Sequence, residues 1–225
     1  LIELEKIKQD YISKGQGYLF YREYQNEPVS DEYRKFKLEK FKFYEDNVLL
    51  AYSLNNYILI DRAYSLDKSA DFTGIVVISV DIQNNWYIRI AERFKGTEGE
   101  LINKIFDLKS YFNPIKIGIE QKAFTYTIKP TLDDEMRKRG IFFLVEELKD
   151  LGKAKTIRIE GLVPRFEVGT IFLKRDQTDL IDELITFPAA VHDDLCDALS
   201  YGLSLAVVPG QGGVAKQYIP RNLRR

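Results

Sequence analysis

Three apolar runs of strand length follow one another in this chain, and they constrain its fold more than any other feature. They are residues 57–63 ("YILIDRA"), about 75–81 ("IVVISVD") and about 86–94 ("WYIRIAERF"). All are rich in the β-branched and aromatic residues that suit a pleated, half-buried surface. A turn at Asn84-Asn85 joins the last two. Successive strands with short connections imply an antiparallel meander. The pattern then changes period. In "GTEGELINKIFDLKSYFNP" Thr97 and Glu100 form a capping box, and Leu101, Ile105, Leu108 and Phe112 recur at helical spacing up to Asn113-Pro114. "IKIGIEQ" (115–121) is a fourth strand. A second helix follows within about 125–139, with Gly140 as its C-cap, and "IFFLVEEL" is a fifth strand. A strand–helix–strand link requires a parallel crossover. The expected fold is therefore α/β, a mixed five-stranded sheet flanked by helices.

The flanks are less regular. Residues 1–50 read as a partly helical extension or linker, 51–208 as the domain proper, and 209–225 as a flexible basic tail. "KAKTIRIEGLV" (153–163) fits helix or strand. "RFEVGTIFLKRD" (165–176) reads as a β-hairpin turning near Gly169, and "QTDLIDELITF" as a short helix ending before Pro188.

With 225 residues, 45% of them hydrophobic, the chain is large enough to bury a core. No apolar run approaches the roughly 18 residues of a membrane span, and no signal-peptide pattern opens the chain. The single Cys196 cannot form an internal disulfide and lies in an apolar helix, as a core residue rather than a nucleophile; a reducing compartment is expected. A net charge of −1 excludes a dedicated basic nucleic-acid module. Basic charge is local: between Lys149 and Arg175 seven Lys or Arg stand against Asp150, Glu160 and Glu167, and Lys216, Arg221, Arg224 and Arg225 follow in the tail.

Acidic residues at strand and helix ends carry the chemistry. "FPAAVHDDLCDALSYG" sets Asp193, Asp194 and Asp197 at the start of a helix. One acid there is explained by capping and the helix dipole. A group of three is not, because Asp194 and Asp197 share a face and repel. "YILID" closes on Asp61, and "IKIGIE" on Glu120. A buried carboxylate must reach water, pair with a base or bind a cation. If the first and fourth strands are parallel neighbours, these acids and those of the last helix converge. All-carboxylate ligation suits Mg²⁺ or Mn²⁺.

Read together, "REYQNEP", "ILIDRAYSLDKSADFT", "IGIEQ", "VPRFEVGTIFL", "LIDELITFP" and "HDDLCDALSYG" resemble, in order and spacing over about residues 15–206, the nuclease domain of tailed-phage large terminase subunits, of the ribonuclease H-like, RuvC-like superfamily. The resemblance implies a two-metal-ion phosphodiesterase that cleaves double-stranded DNA concatemers during genome packaging in the cytoplasm of the infected host. It assigns Asp61 and Glu120 as the first two metal-binding acids and Asp194, with Asp193 as the close alternative, as the third. Asp71, Asp197 and His192 would support them. Lys153, Arg158, Lys174 and Arg175 fall where the family carries a mobile hairpin and are candidate phosphate contacts. The resemblance also implies an ATPase motor upstream, in keeping with the absent G-x-x-x-x-G-K-[ST] motif and an initial Leu1, and a small terminase subunit and portal as further partners. Two alternatives stay open: another nuclease of this fold, such as a Holliday-junction resolvase, and a non-catalytic docking domain whose acids only cap.

Overall fold

The computed structural model describes residues 4–7, 10, 34–51, 53–62, 72–121, 128–149, 154–188, 190 and 192–210. Its strands are β1 (Lys42–Phe43), β2 (Asn55–Arg62), β3 (Thr73–Val80), β4 (Trp86–Phe94), β5 (Lys116–Glu120), β6 (Val145–Leu148) and β7 (Ile171–Leu173). They form a seven-stranded sheet in the order β1-β7-β4-β3-β2-β5-β6. The three apolar runs are the meander β2-β3-β4, antiparallel throughout. Strands β5 and then β6 add parallel to β2. This five-strand core is the ribonuclease H-like arrangement expected from the sequence.

Two features differ from that expectation. The sheet has seven strands, not five, because β7 pairs parallel with β4 and β1 parallel with β7. A two-residue and a three-residue strand are too short to leave a periodic signal. The expected hairpin at 165–176 is also absent. Its first half is a helix, Val163–Val168, with Pro164 in the first turn and Gly169 (φ 69°) as the left-handed C-cap. Phe166 and Val168 mimic a strand's alternation, yet Phe166 is 2% exposed and Val168 70%, so they do not share a buried face.

The helices are α1 (Glu98–Phe112), α2 (Lys129–Arg139), α3 (Lys155–Glu160), α4 (Val163–Val168), α5 (Thr178–Thr186), α6 (Asp194–Ser200) and α7 (Gly202–Leu205). The ambiguous segment 153–163 thus yields helix α3. Alternate residues of each central strand enter different cores. Ile58, Ile60, Ile75, Val77, Ile117 and Ile119 pack with Leu101, Ile105, Leu132 and Met136 of α1 and α2. Tyr57, Leu59, Val76 and Ile78 face the other way, against α3 to α6 through Ile159, Phe166, Leu184, Leu195 and Leu199. Part of the expected 1–50 extension belongs to this second core: Phe36 and Phe41 are buried in it, and Phe36 meets Phe166 and Phe187 edge-on. "REYQNEP" and the tail from residue 211 lie outside the described residues. Among the described residues no helix is long and apolar enough to cross a membrane.

The capping box on α1 is present as read. Thr97 Oγ1 accepts from the Glu100 N–H, and the Glu100 carboxylate accepts from the Thr97 N–H at 2.7 Å. Replacing Thr97 by Ala removes one side of the box and is expected to lower unfolding free energy by about 1 kcal/mol, read from urea denaturation. An unchanged midpoint would show that tertiary packing alone holds this helix end.

Candidate functional site

Strand parity brings Asp61 and Glu120 together. On β2, Tyr57 and Leu59 face the α3–α6 side, so Asp61 does too. On β5, Ile117 and Ile119 face the α1–α2 side, which turns Glu120 to the side of Asp61. The parallel register pairs Ile60 with Ile119, one residue before each acid. Asp61 and Glu120 therefore stand side by side at the C-terminal ends of adjacent strands.

Helix α6 closes over them because of a glycine. Asp61 lies opposite Gly74 in the antiparallel ladder. A Cβ at Gly74 would collide with the backbone carbonyl of Asp194. Without one, the start of α6 settles directly on β3 beside Asp61. A lone glycine inside an otherwise apolar strand is a sequence signal for such close approach.

None of the three aspartates caps α6. Asp193 occupies the N-cap position without a side-chain capping bond. Glu183 of α5 does that work from outside: its Oε2 accepts the N–H groups of Leu195 and Cys196, both at 2.9 Å. Its Oε1 accepts from Arg93 Nε at 3.0 Å and Nη2 at 2.9 Å. Glu183 is 1% exposed. Burial pushes its carboxyl up, against the pull of the Cys196 N–H and Arg93. Sequence reading missed Glu183 and Arg93, since 90 residues separate them and only the fold joins them.

The aspartates instead face cations and each other. Lys155, the first residue of α3, places Nζ 2.8 Å from Asp193 Oδ1, 3.5 Å from Asp197 Oδ2 and 3.8 Å from Asp61 Oδ2. Arg158, one turn on, donates through Nη2 to both Asp197 oxygens at 2.7 and 2.8 Å and lies over the Tyr201 ring. Asp61 is 7% exposed. Burial first, then the charges of Asp197, Asp194 and Glu120, raise its pKa to about 8 despite Lys155. Asp194 is also raised, chiefly by burial. Burial opposes the Lys155 ammonium, but the hydrogen bond to Asp193 and the charges of Asp61 and Asp197 outweigh it and hold the group above its usual range.

These donors are all carboxylate oxygens, the chemistry of a hard divalent cation. Their arrangement is that of a shell around an ammonium. Distances of 2.8–3.8 Å to Lys155 Nζ exceed the ~2.1 Å reach of a Mg²⁺ ligand, and among the described residues no three acidic, His or Cys side chains are grouped as metal ligands. The residues fit a divalent ion by donor type and by the cationic stand-in at their centre.

The remaining candidates are dispersed. His192 meets Phe72 edge-on at 5.6 Å. Asp71 and Lys153 lie outside the described residues. Arg158 is engaged with Asp197, Lys174 pairs with Asp46 at 2.7 Å, and Arg175 stacks on Phe43. Cys196 is buried in the core, as expected. Lys155, counted in the basic region but not singled out on sequence, is the base that reaches the acids.

No family model matches the chain, and no curated protein does. Among solved structures it is similar to the human cytomegalovirus terminase nuclease domain (16% identity, TM-score 0.49, 68% of this chain and 83% of that one). It is also similar to the large terminase nuclease from thermophilic phage G20c with bound magnesium (18%, 0.49, 76% and 96%). A further likeness is to T. thermophilus RuvC in complex with a Holliday junction substrate (11%, 0.36, 67% and 96%). The fold itself follows from the strand order and register described above.

Two outcomes follow from this geometry. Glu183→Ala leaves the half-buried Arg93 with Asp179 alone, 3.6 Å away, and frees the N–H groups of buried Leu195 and Cys196, so it should cost about 3 kcal/mol in chemical denaturation; a loss under about 1 kcal/mol, the scale of an exposed pair, would refute that coupling. The pH dependence of Asp61 has a defined sign. Its folded pKa lies above its ordinary 3.8, so the folded chain holds the proton more tightly. Stability from this group is complete at low pH and falls as pH rises from about 4 to about 8. In chelator, Asp61→Asn should therefore gain melting temperature relative to the parent at pH 8 and less at pH 5; equal differences at both pH values would contradict the burial of this charge.

Proposed function

We propose that the chain is the nuclease domain of a tailed-phage large terminase subunit, a metal-dependent endonuclease that cuts double-stranded DNA concatemers. The observation that supports this most is that Asp61 and Glu120, side by side on adjacent strand ends, lie beneath the start of α6, which carries Asp194. A structural ion pair would need one base for one acid. Here Asp61 of β2 and Asp193 and Asp197 at the start of α6 share Lys155, and the charges of Asp194 and of Glu120 on β5 also act on Asp61.

In this reading Asp61, Glu120 and Asp194, with Asp193 beside them, would hold the ions. When bound, two divalent ions supply a water ionised near neutral pH and stabilise the leaving 3′ oxygen of the phosphodiester. The chain's own residues supply the rest. β2 and β5 fix two carboxylates with rigid backbone. Gly74 admits α6, and Glu183 holds the register of its first turn. Arg158 keeps Asp197 turned toward α3, where it enters the field on Asp61 without leaving its own pair. The upstream ATPase motor, the small terminase subunit and the portal are the partners this reading calls for, in the cytoplasm of the infected cell.

Plasmid nicking in Mn²⁺ tests the assignment. The parent should nick and linearise supercoiled DNA, and Asp61→Asn should fall to background while retaining a cooperative melt. Undiminished cleavage by Asp61→Asn would remove Asp61 from the chemistry. Offering linear duplex and a four-way junction side by side separates the terminase reading from a resolvase: preference for the junction would favour the latter.

A further inference from the structure

The position of Lys155 has a consequence beyond the proposed activity, and it rests on the metal reading given above. Nζ of Lys155 stands among Asp61, Asp193 and Asp197, 3.8, 2.8 and 3.5 Å away. The three acids come from one strand and one helix start; the lysine comes from a third element, α3, packed against α6. Arg158 cannot play the same part, because its guanidinium is already committed to both oxygens of Asp197 and to the Tyr201 ring. The Lys155 side chain is 36% exposed, so its head can swing out to water on its flexible stem. Asp61 and Asp197 are buried, and a positive charge beside them offsets the cost of holding both ionised; either an ammonium or a divalent ion can supply it.

We propose that Lys155 is a built-in counterion that occupies the cation position when no metal is bound, and that a divalent ion binds by displacing its ammonium. The same contact would then have two effects. It keeps Asp61, Asp193 and Asp197 from repelling one another apart in the metal-free chain, and it weakens apparent metal affinity, because each ion must first break the lysine contacts. Asp61 and Asp193 then draw in from ammonium distances to the shorter reach of a metal ligand, while Asp197 stays paired with Arg158. Lys155 acts through the acids, as a positioning residue that sets occupancy.

Calorimetric titration of the full chain with MnCl₂ at fixed pH and salt tests this without reference to cleavage. Lys155→Met keeps the apolar stem and removes the charge, and it should bind Mn²⁺ about tenfold more tightly or better, roughly 1.4 kcal/mol. Lys155→Arg keeps the charge and should stay near the parent. Equal or weaker binding by Lys155→Met, with measurable binding by the parent, overturns the counterion role and leaves the metal reading standing. No uptake by parent or variant overturns both. Should Lys155→Met fail to fold, the parent answers alone: acetylation of Lys155 by an amine-reactive ester, followed by mass spectrometry, should rise when Mg²⁺ is added. Labelling that Mg²⁺ leaves unchanged overturns displacement.

Discussion

A carboxylate at the edge of an apolar sheet face is the constraint around which this molecule is arranged. Asp61 continues the strand whose preceding residues, Ile58 to Ile60, are fully buried, so it enters an environment where an uncompensated charge is costly. The same surroundings strengthen whatever compensates it. That explains why Lys155 reaches across from α3 although burial opposes its own charge. A cation beside Asp61 offsets that cost in the ionised form, and the chain carries one in Lys155.

Fixing that arrangement requires separating two jobs that usually fall to one residue. A helix start needs acceptors for its free N–H groups, and Asp193 stands where such an acceptor normally sits. Had Asp193 capped α6, its carboxylate would have been turned into the helix and away from Lys155. Glu183 takes over the N–H groups of Leu195 and Cys196 from the neighbouring helix, with Arg93 neutralising it from β4. Asp193 and Asp197 are left to face Lys155 and Arg158. The alternative in which these acids only cap, left open by the sequence, loses its support here.

Much of this was legible beforehand, and the omissions have physical causes. The meander, α1 with its capping box and the placing of Asp61 and Glu120 at strand ends follow from period and order in the sequence, while the β2–β5 pairing that brings the two acids together was a condition the structure meets. The former are local patterns or follow from the crossover rule. Strand β1 is too short to carry a period, β7 is the second arm of the expected hairpin but pairs with β4 and β1 instead, and the first arm is helix α4 because Phe166 and Val168 alternate without sharing a buried face. Lys155, Gly74, Arg93 and Glu183 were missed as site residues for another reason. Their importance lies in pairings across the fold, and a count of basic charge in the region 149–175 could not tell which base faces inward.

That distinction bears on how nucleic acid would be held. The basic region is on sequence a candidate phosphate-binding surface, yet most of its described charges are engaged within the molecule. Arg158 and Lys155 serve the acidic group, Lys174 pairs with Asp46, and Arg165 packs over Trp86 and donates to the Asn84 carbonyl. Exposed pairs such as Lys40–Glu167 and Lys35–Glu160 further even out the surface. A polyanion gains affinity by releasing counterions from many phosphates onto free cations, and a chain of net charge −1 in which these described bases are matched internally gains little from them. In the proposed reading the substrate is therefore brought to the site by the rest of the packaging machinery. The charge pattern around Asp61 is then tuned for a cation at the reacting phosphate rather than for grip on the duplex.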